Sequence, residues 1–216
     1  MLKDRSGAYE LLRALGAPNP LVHHAQLVGE AADQLLAEFQ ALGVTCDVRV
    51  VELGAILHDT GKISYPQELS ESGSLHEQAG QALLLAYGVQ LEIARVCVSH
   101  GAWDVPGVSL GERTVALADK LWKGKCEAAL ELNVIDEIAI RLGVSRWDVF
   151  EQLDSTFERI AAGGAGTDST KQAGIASVLR HFTAKLTLAV VRSVPTIGAV
   201  AKRNFVSRVS QSTSVS

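Results

Sequence analysis

Between Asn19 and Gly43 apolar residues return at spacings of three and four: Leu21, Ala25, Val28, Ala32, Leu35 and Phe39. That period fits 3.6 residues per turn and conflicts with strand alternation, so a helix with one apolar stripe is dictated here. Asn19 is a good N-cap, Pro20 suits the first helical position, and Gly43 marks the stop. The same period recurs downstream. Asp47 can cap a helix through Val48, Val51, Leu53, Ala55, Ile56 and Leu57, with Gly61 as its C-terminal breaker. "SYPQELSESGS" reads as a loop, and Ser74 with Glu77 as a capping box that opens a helix running from about Leu75 to Gly88. "QLEIARVCVSH" and "GERTVALADKLWKGK" predict further helices on either side of a "GAWDVPG" loop. Val134, Ile135, Ile138 and Leu142 mark another. Ser145 and Asp148 open a last one that packs Val149, Leu153, Phe157 and Ile160. The expected fold class is all-α, a compact helical bundle.

Beyond Ala161 the pattern changes. "AAGGAGTDSTKQAG" has linker composition and "NFVSRVSQSTSVS" that of a tail. The expected organisation is therefore a domain over 1–160 and a linker with a C-terminal extension over 161–216. A formal net charge of -4 gives no overall basic field, so no nucleic-acid partner is expected. Cys46, Cys97 and Cys126 are far apart and lack any C-x-x-C pairing, which reads as buried thiols in a reducing compartment. No uncharged apolar run reaches the roughly 18 residues of a membrane span, and the charged start has no apolar signal region, so the expectation is a cytoplasmic protein without a membrane partner. The oligomeric state has no signature, and a homodimer is compatible with the sequence.

Against this apolar background certain polar residues need a reason. Of six histidines, His24, His58, His76 and His100 fall within or at the ends of separate helices, and Asp59 and Asp119 share their apolar surroundings. An ionised carboxylate in such a setting is costly unless paired or bound to a metal, and imidazole is the commonest metal ligand. Each residue taken singly has an ordinary reading, as His23 and His181 have here. Convergence of several would relieve the cost for all.

"HHAQLV" with His24, "HDTGK" with His58, Asp59 and Lys62, and "ALADKL" with Asp119 resemble, in order, the motifs of the HD superfamily of metal-dependent phosphohydrolases. The resemblance implies that His24, His58, Asp59 and Asp119 bind one metal. "SLHEQAG" with His76 and "CVSHGAW" with His100 look like the added histidines of the binuclear branch, which includes bacterial diadenosine tetraphosphate hydrolases. Two ions bridged by Asp59 are then implied, and His76 and His100 would hold the second. The G-Y-P signature of the cyclic-dinucleotide branch is missing after the His-Asp pair, which favours the diadenosine-type branch, although Gly101 stands where that branch usually has Thr. The resemblance gives Asp59 and Lys62 catalytic roles, with Lys62 touching a substrate phosphate.

A mixed imidazole and carboxylate set suits iron or manganese, the first choice by resemblance, and also nickel, cobalt or zinc. The expected function is attack of a metal-activated water on a phosphoester or phosphoanhydride of a nucleotide, a dinucleoside polyphosphate among the candidates. Two alternatives stand beside it: a mononuclear nucleoside monophosphate phosphatase and a non-catalytic nucleotide-binding domain. Lys120, Lys123 and Lys125 form a basic cluster beside Asp119 that can meet a polyphosphate or simply be solvated. Trp103 can stack on a base, whereas the spacing places Trp122 in the core.

Overall fold

In the computed structural model, residues 2–164 are described, and no strand occurs among them. Asp4 accepts a hydrogen bond from Gly7 N and so caps α1 (Arg5–Ala14), a helix not expected from the charged N-terminal sequence, which buries Ala8 and Leu12. Helix α2 (Asn19–Ala41) buries all six residues of the stripe that opened the sequence reading. Its cap is Pro18 rather than Asn19, and no side chain caps it.

Helix α3 (Val48–Leu57) is capped as expected by Asp47, which accepts from Val50 N. Seven of its ten residues are buried, among them Leu53, Ala55, Ile56 and Leu57. Apart from the exposed Val48 and the partly buried Arg49 and Glu52, the helix is enclosed by its neighbours. Two cores meet on it. Val50, Val51 and Ala55 join a large cluster with α2 and with α7 (Leu110–Leu121), α8 (Ala128–Leu142) and α9 (Arg146–Gly164). Leu53, Ile56 and Leu57 join a smaller one with α1, the start of α2, and the helices α4 (Leu75–Ala86), α5 (Leu91–Ala94) and α6 (Val96–Ser99). Burying each large aliphatic side chain contributes roughly 1.5–3 kcal/mol, so the end of α3 is anchored from both sides.

After α3 the chain makes two 3-10 turns, Thr60–Ile63 and Pro66–Leu69. Gly61 lies in the first and has no positive φ, so it is not the helix breaker expected. Its reason is a close approach: a Cβ there would lie 1.9 Å from His76 O and 2.6 Å from Gly80 N. Helix α4 starts where expected, but the capping box does not form. Ser74 makes no side-chain cap, and Leu75 N and His76 N donate instead to the carboxylate of Glu68. "QLEIARVCVSH" is two short helices meeting at Arg95 rather than one. Ser109 and Glu112 build a full capping box on α7. Gly143, at φ 66°, closes α8 in the left-handed conformation that glycine adopts without strain. Val149, Leu153, Phe157 and Ile160 are buried along α9, which continues to Gly164, past the expected domain end at residue 160. The rest of the expected linker and extension, with His181, lies outside the described residues.

Cys97 is buried, whereas Cys46 is half-buried and Cys126 exposed, so the expectation of three buried thiols holds for one. Among the described residues no helix is long and apolar enough to cross a membrane.

Candidate metal centre

The end of α3 delivers His58 and Asp59 to the junction of the two cores, where they are 1% and 3% exposed. The remaining residues of the set arrive from other elements: His24 from α2, His76 from the first turn of α4, His100 from just past α6, and Asp119 from the last turn of α7. His23, its neighbour in sequence, is exposed.

Asp59 sits at the centre, and its two oxygens face different partners. Oδ2 lies 3.0 Å from His24 Nε2 and 3.6 Å from His58 Nε2. Oδ1 lies 3.1 Å from His76 Nε2 and 3.7 Å from His100 Nε2. Asp119 Oδ1 completes the first side, 3.3 Å from His24 Nε2 and 3.5 Å from His58 Nε2. Two sets of three ligand atoms fall within 4.8 Å of one another: His24, His58 and Asp119, and His58, Asp59 and His100. His76 belongs to neither set and reaches the cluster through Asp59 Oδ1.

The outer ring nitrogens explain why the Nε2 atoms point inward. His58 Nδ1 lies 3.0 Å from Ala55 O and His100 Nδ1 lies 3.2 Å from Val96 O; a carbonyl only accepts, so both Nδ1 atoms carry the proton. His76 Nδ1 stands 2.5 Å from Glu68 Oε2. Its Nε2 is buried and makes no hydrogen bond despite its nearness to Asp59. An orphaned inward nitrogen beside carboxylates, backed by an acceptor on the other ring nitrogen, is how metal-binding imidazoles are held. The donor set of nitrogens and oxygens fits a divalent transition metal.

Electrostatics sharpen the picture. Burial works against the charged form of both aspartates, yet the surrounding histidines hold Asp59 and Asp119 well below the usual carboxylate range. Burial likewise opposes charge on His24 and His76, but Asp119 and Asp59 raise the first, and Asp59 and Glu68 raise the second. His100 is pushed down to about 4, first by burial and then by His58. Lysines neutralise the carboxylates: Lys62 Nζ is 2.6 Å from Asp59 Oδ2, and Lys123 Nζ is 2.6 and 2.8 Å from the two oxygens of Asp119.

Residues 21–122 match the HD domain family. The match supports HD superfamily membership, and domains of this family bind divalent metals. A tRNA (cytidine(56)-2'-O)-methyltransferase of Thermoplasma volcanium is 26% identical over 151 residues, covering 63% of this chain. The aligned part spans 41% of that protein's length. No solved structure matches.

Over the cluster opens a cleft of about 610 Å³, whose lining includes Lys62, Lys120, Trp122, Lys123 and Lys125. Trp122 therefore belongs to the site as well as to the edge of the core. Its ring stands 5.0 Å from that of His24 and its Nε1 donates to Asp119 Oδ1 at 3.4 Å. Trp103 packs against the core and is absent from the cleft lining. Cys97 is the inert thiol expected, donating to Leu57 O, with burial pushing its pKa up.

Two acidic residues near the cluster escaped sequence reasoning. Glu68 sits in a segment that reads only as a polar loop. Glu77 reads as half of a capping box, yet it lines the cleft, and burial first, then Glu68 and Asp59, push its carboxyl pKa up. A Cβ on Gly101 would lie 2.3 Å from Glu77 Oε1, so Gly101 leaves the room that Glu77 occupies.

Proposed function

We propose that this HD domain is a binuclear metal-dependent phosphohydrolase acting on a nucleotide, with dinucleoside polyphosphates as the first substrates to test. The observation that carries the reading is the division of Asp59, one oxygen turned to His24 and His58 and the other to His76 and His100. His24, His58 and Asp119 would hold one ion and His76 and His100 the other, with Asp59 shared. Bound iron or manganese ions, the first candidates, lower the pKa of a water towards neutral and neutralise phosphoryl oxygens. The chain's own residues do the remaining work. Lys62 and Lys123, which neutralise the two aspartates, offer ammonium groups at the cleft to substrate phosphates. Trp122 offers an aromatic face beside them.

A second reading keeps one ion, in the His24, His58 and Asp119 set, and hydrolyses a nucleoside monophosphate. It is favoured by the position of His76 outside both close sets. Metal content per chain, measured by elemental analysis on protein purified under low oxygen, separates the two. Two transition-metal ions support the binuclear reading and one supports the other. None after adding back iron and manganese leaves a nucleotide-binding domain. Activity is then screened on dinucleoside polyphosphates, nucleoside monophosphates and, in view of the tRNA-modifying relative, terminal RNA phosphates.

A further inference from the structure

Resting on the binuclear reading, we propose that Glu68 is a positioning residue for the second ion, acting by fixing the ring of His76. Glu68 is 7% exposed, although it comes from a short 3-10 turn in a polar segment. One of its oxygens accepts from Leu75 N, and the other faces both His76 N and His76 Nδ1. The chain closes tightly over it: a Cβ on Gly73 would lie 2.3 Å from Glu68 Oε1. So fixed, the carboxylate accepts a hydrogen bond from the Nδ1–H of the ring, which keeps the proton on Nδ1 and turns Nε2, which has no hydrogen-bond partner, toward Asp59 Oδ1. Glu68 lines the cleft wall, but its carboxylate is engaged by Leu75 and His76, so its influence on the centre passes through His76. Residues 69–73, which line the cleft, lie between Glu68 and α4, so the same carboxylate ties that wall to the candidate ligand.

Glu68 also caps α4, and the test must separate the two roles. Glu68→Ala removes both. Glu68→Ala combined with Ser74→Asp returns a carboxylate to the N-cap of α4 without restoring a partner for His76 Nδ1. Glu68→Gln keeps an acceptor oxygen and serves if the alanine variants do not fold. Two quantities are read. In metal-free protein, at a pH where the ring is neutral, the imidazole nitrogen shifts of His76 report its tautomer. Manganese titration then reports the affinity of each site. The expected result is an Nδ1-protonated His76 that loses this preference in the alanine variants, and a second ion bound about 10- to 100-fold more weakly while the first is unchanged. Glu68→Gln should fall between the two. An unchanged tautomer, or recovery of the second ion in the Ser74→Asp double variant, overturns the proposal. Because the tautomer is read without metal, failure of the binuclear reading shows separately, as a wild-type chain that binds no second ion.

Discussion

The two sides of the candidate metal centre are built differently. His24, His58 and Asp119 stand on α2, α3 and α7, helices of 23, 10 and 12 residues whose apolar faces interlock in the larger core. His76 and His100 stand on the first turn of α4 and at the end of a four-residue helix, and their Nδ1 atoms rely on Glu68 and on the carbonyl of Val96. His58 also has its Nδ1 on a carbonyl, that of Ala55, but its side adds the packing of long helices, whereas the other side leans on the hydrogen bonds. Packing is dense and cooperative, whereas a single hydrogen bond contributes about 1 kcal/mol net, so the second side is the more easily disturbed.

Asp59 joins the sides, and its removal should have the largest effect. Asp59→Ala takes away the shared carboxylate and several kcal/mol of charge stabilisation with it, so hydrolysis should fall about a thousandfold or more. The check is turnover at saturating manganese; retention of activity would sink both hydrolase readings.

Gly61→Ala tests the seam between the sides. The new Cβ would press on backbone atoms of His76 and Gly80, which cannot rotate away. Overpacking of this kind costs typically about 1–3 kcal/mol. Thermal unfolding should shift down by several degrees, and loss of metal affinity should concentrate on the His76 side. A neutral result would show that α4 is free to move.

Single-ligand variants sharpen the comparison directly. His76→Ala should lower the metal content from two ions toward one with little change in melting temperature. His24→Ala should instead remove the ion of the larger-core side. Equal losses in the two variants would mean one indivisible site, against the division read from Asp59.

The same contrast governs what was legible in the sequence. Helix α2 was readable because six apolar residues in register make one long buried stripe, and α3 because Asp47 and the apolar run at 53–57 have few alternatives. His24, His58 and Asp119 share that legibility because they ride on such helices. Glu68 was hidden: its partners are backbone N–H groups and a histidine seven or eight residues on, and no periodicity records a carboxylate folding back. The capping box expected at Ser74 and Glu77 failed for the same reason, since a tertiary acceptor displaced the local one. Gly61 was correctly marked as special but for the wrong cause, because a missing Cβ reads alike for a turn and for a close contact. Trp122 belongs to core edge and cleft at once, which spacing alone cannot divide.

The smallest expected effect is a pH dependence that divides by residue and not by side. His24 and His76 have raised pKa values through their aspartate and glutamate neighbours, whereas His100 is held near 4. In the metal-free cluster His24 and His76 therefore hold a second proton to higher pH than an ordinary imidazole, whereas His100 gives it up well below neutrality. A metal must displace those protons, so affinity rises with pH at every pH below the raised values and levels off once they are passed. Each displaced proton is worth about tenfold in affinity per pH unit below its raised pKa. Calorimetric titration of manganese at pH 7, repeated in buffers of different ionisation enthalpy, counts the protons released. Release should be smaller in His24→Ala and in His76→Ala than in wild type, and unchanged in His100→Ala for whatever metal still binds. Loss of the release only in the His100 variant would place the proton on the wrong histidine and remove the electrostatic account of how the carboxylates hold both sides ready.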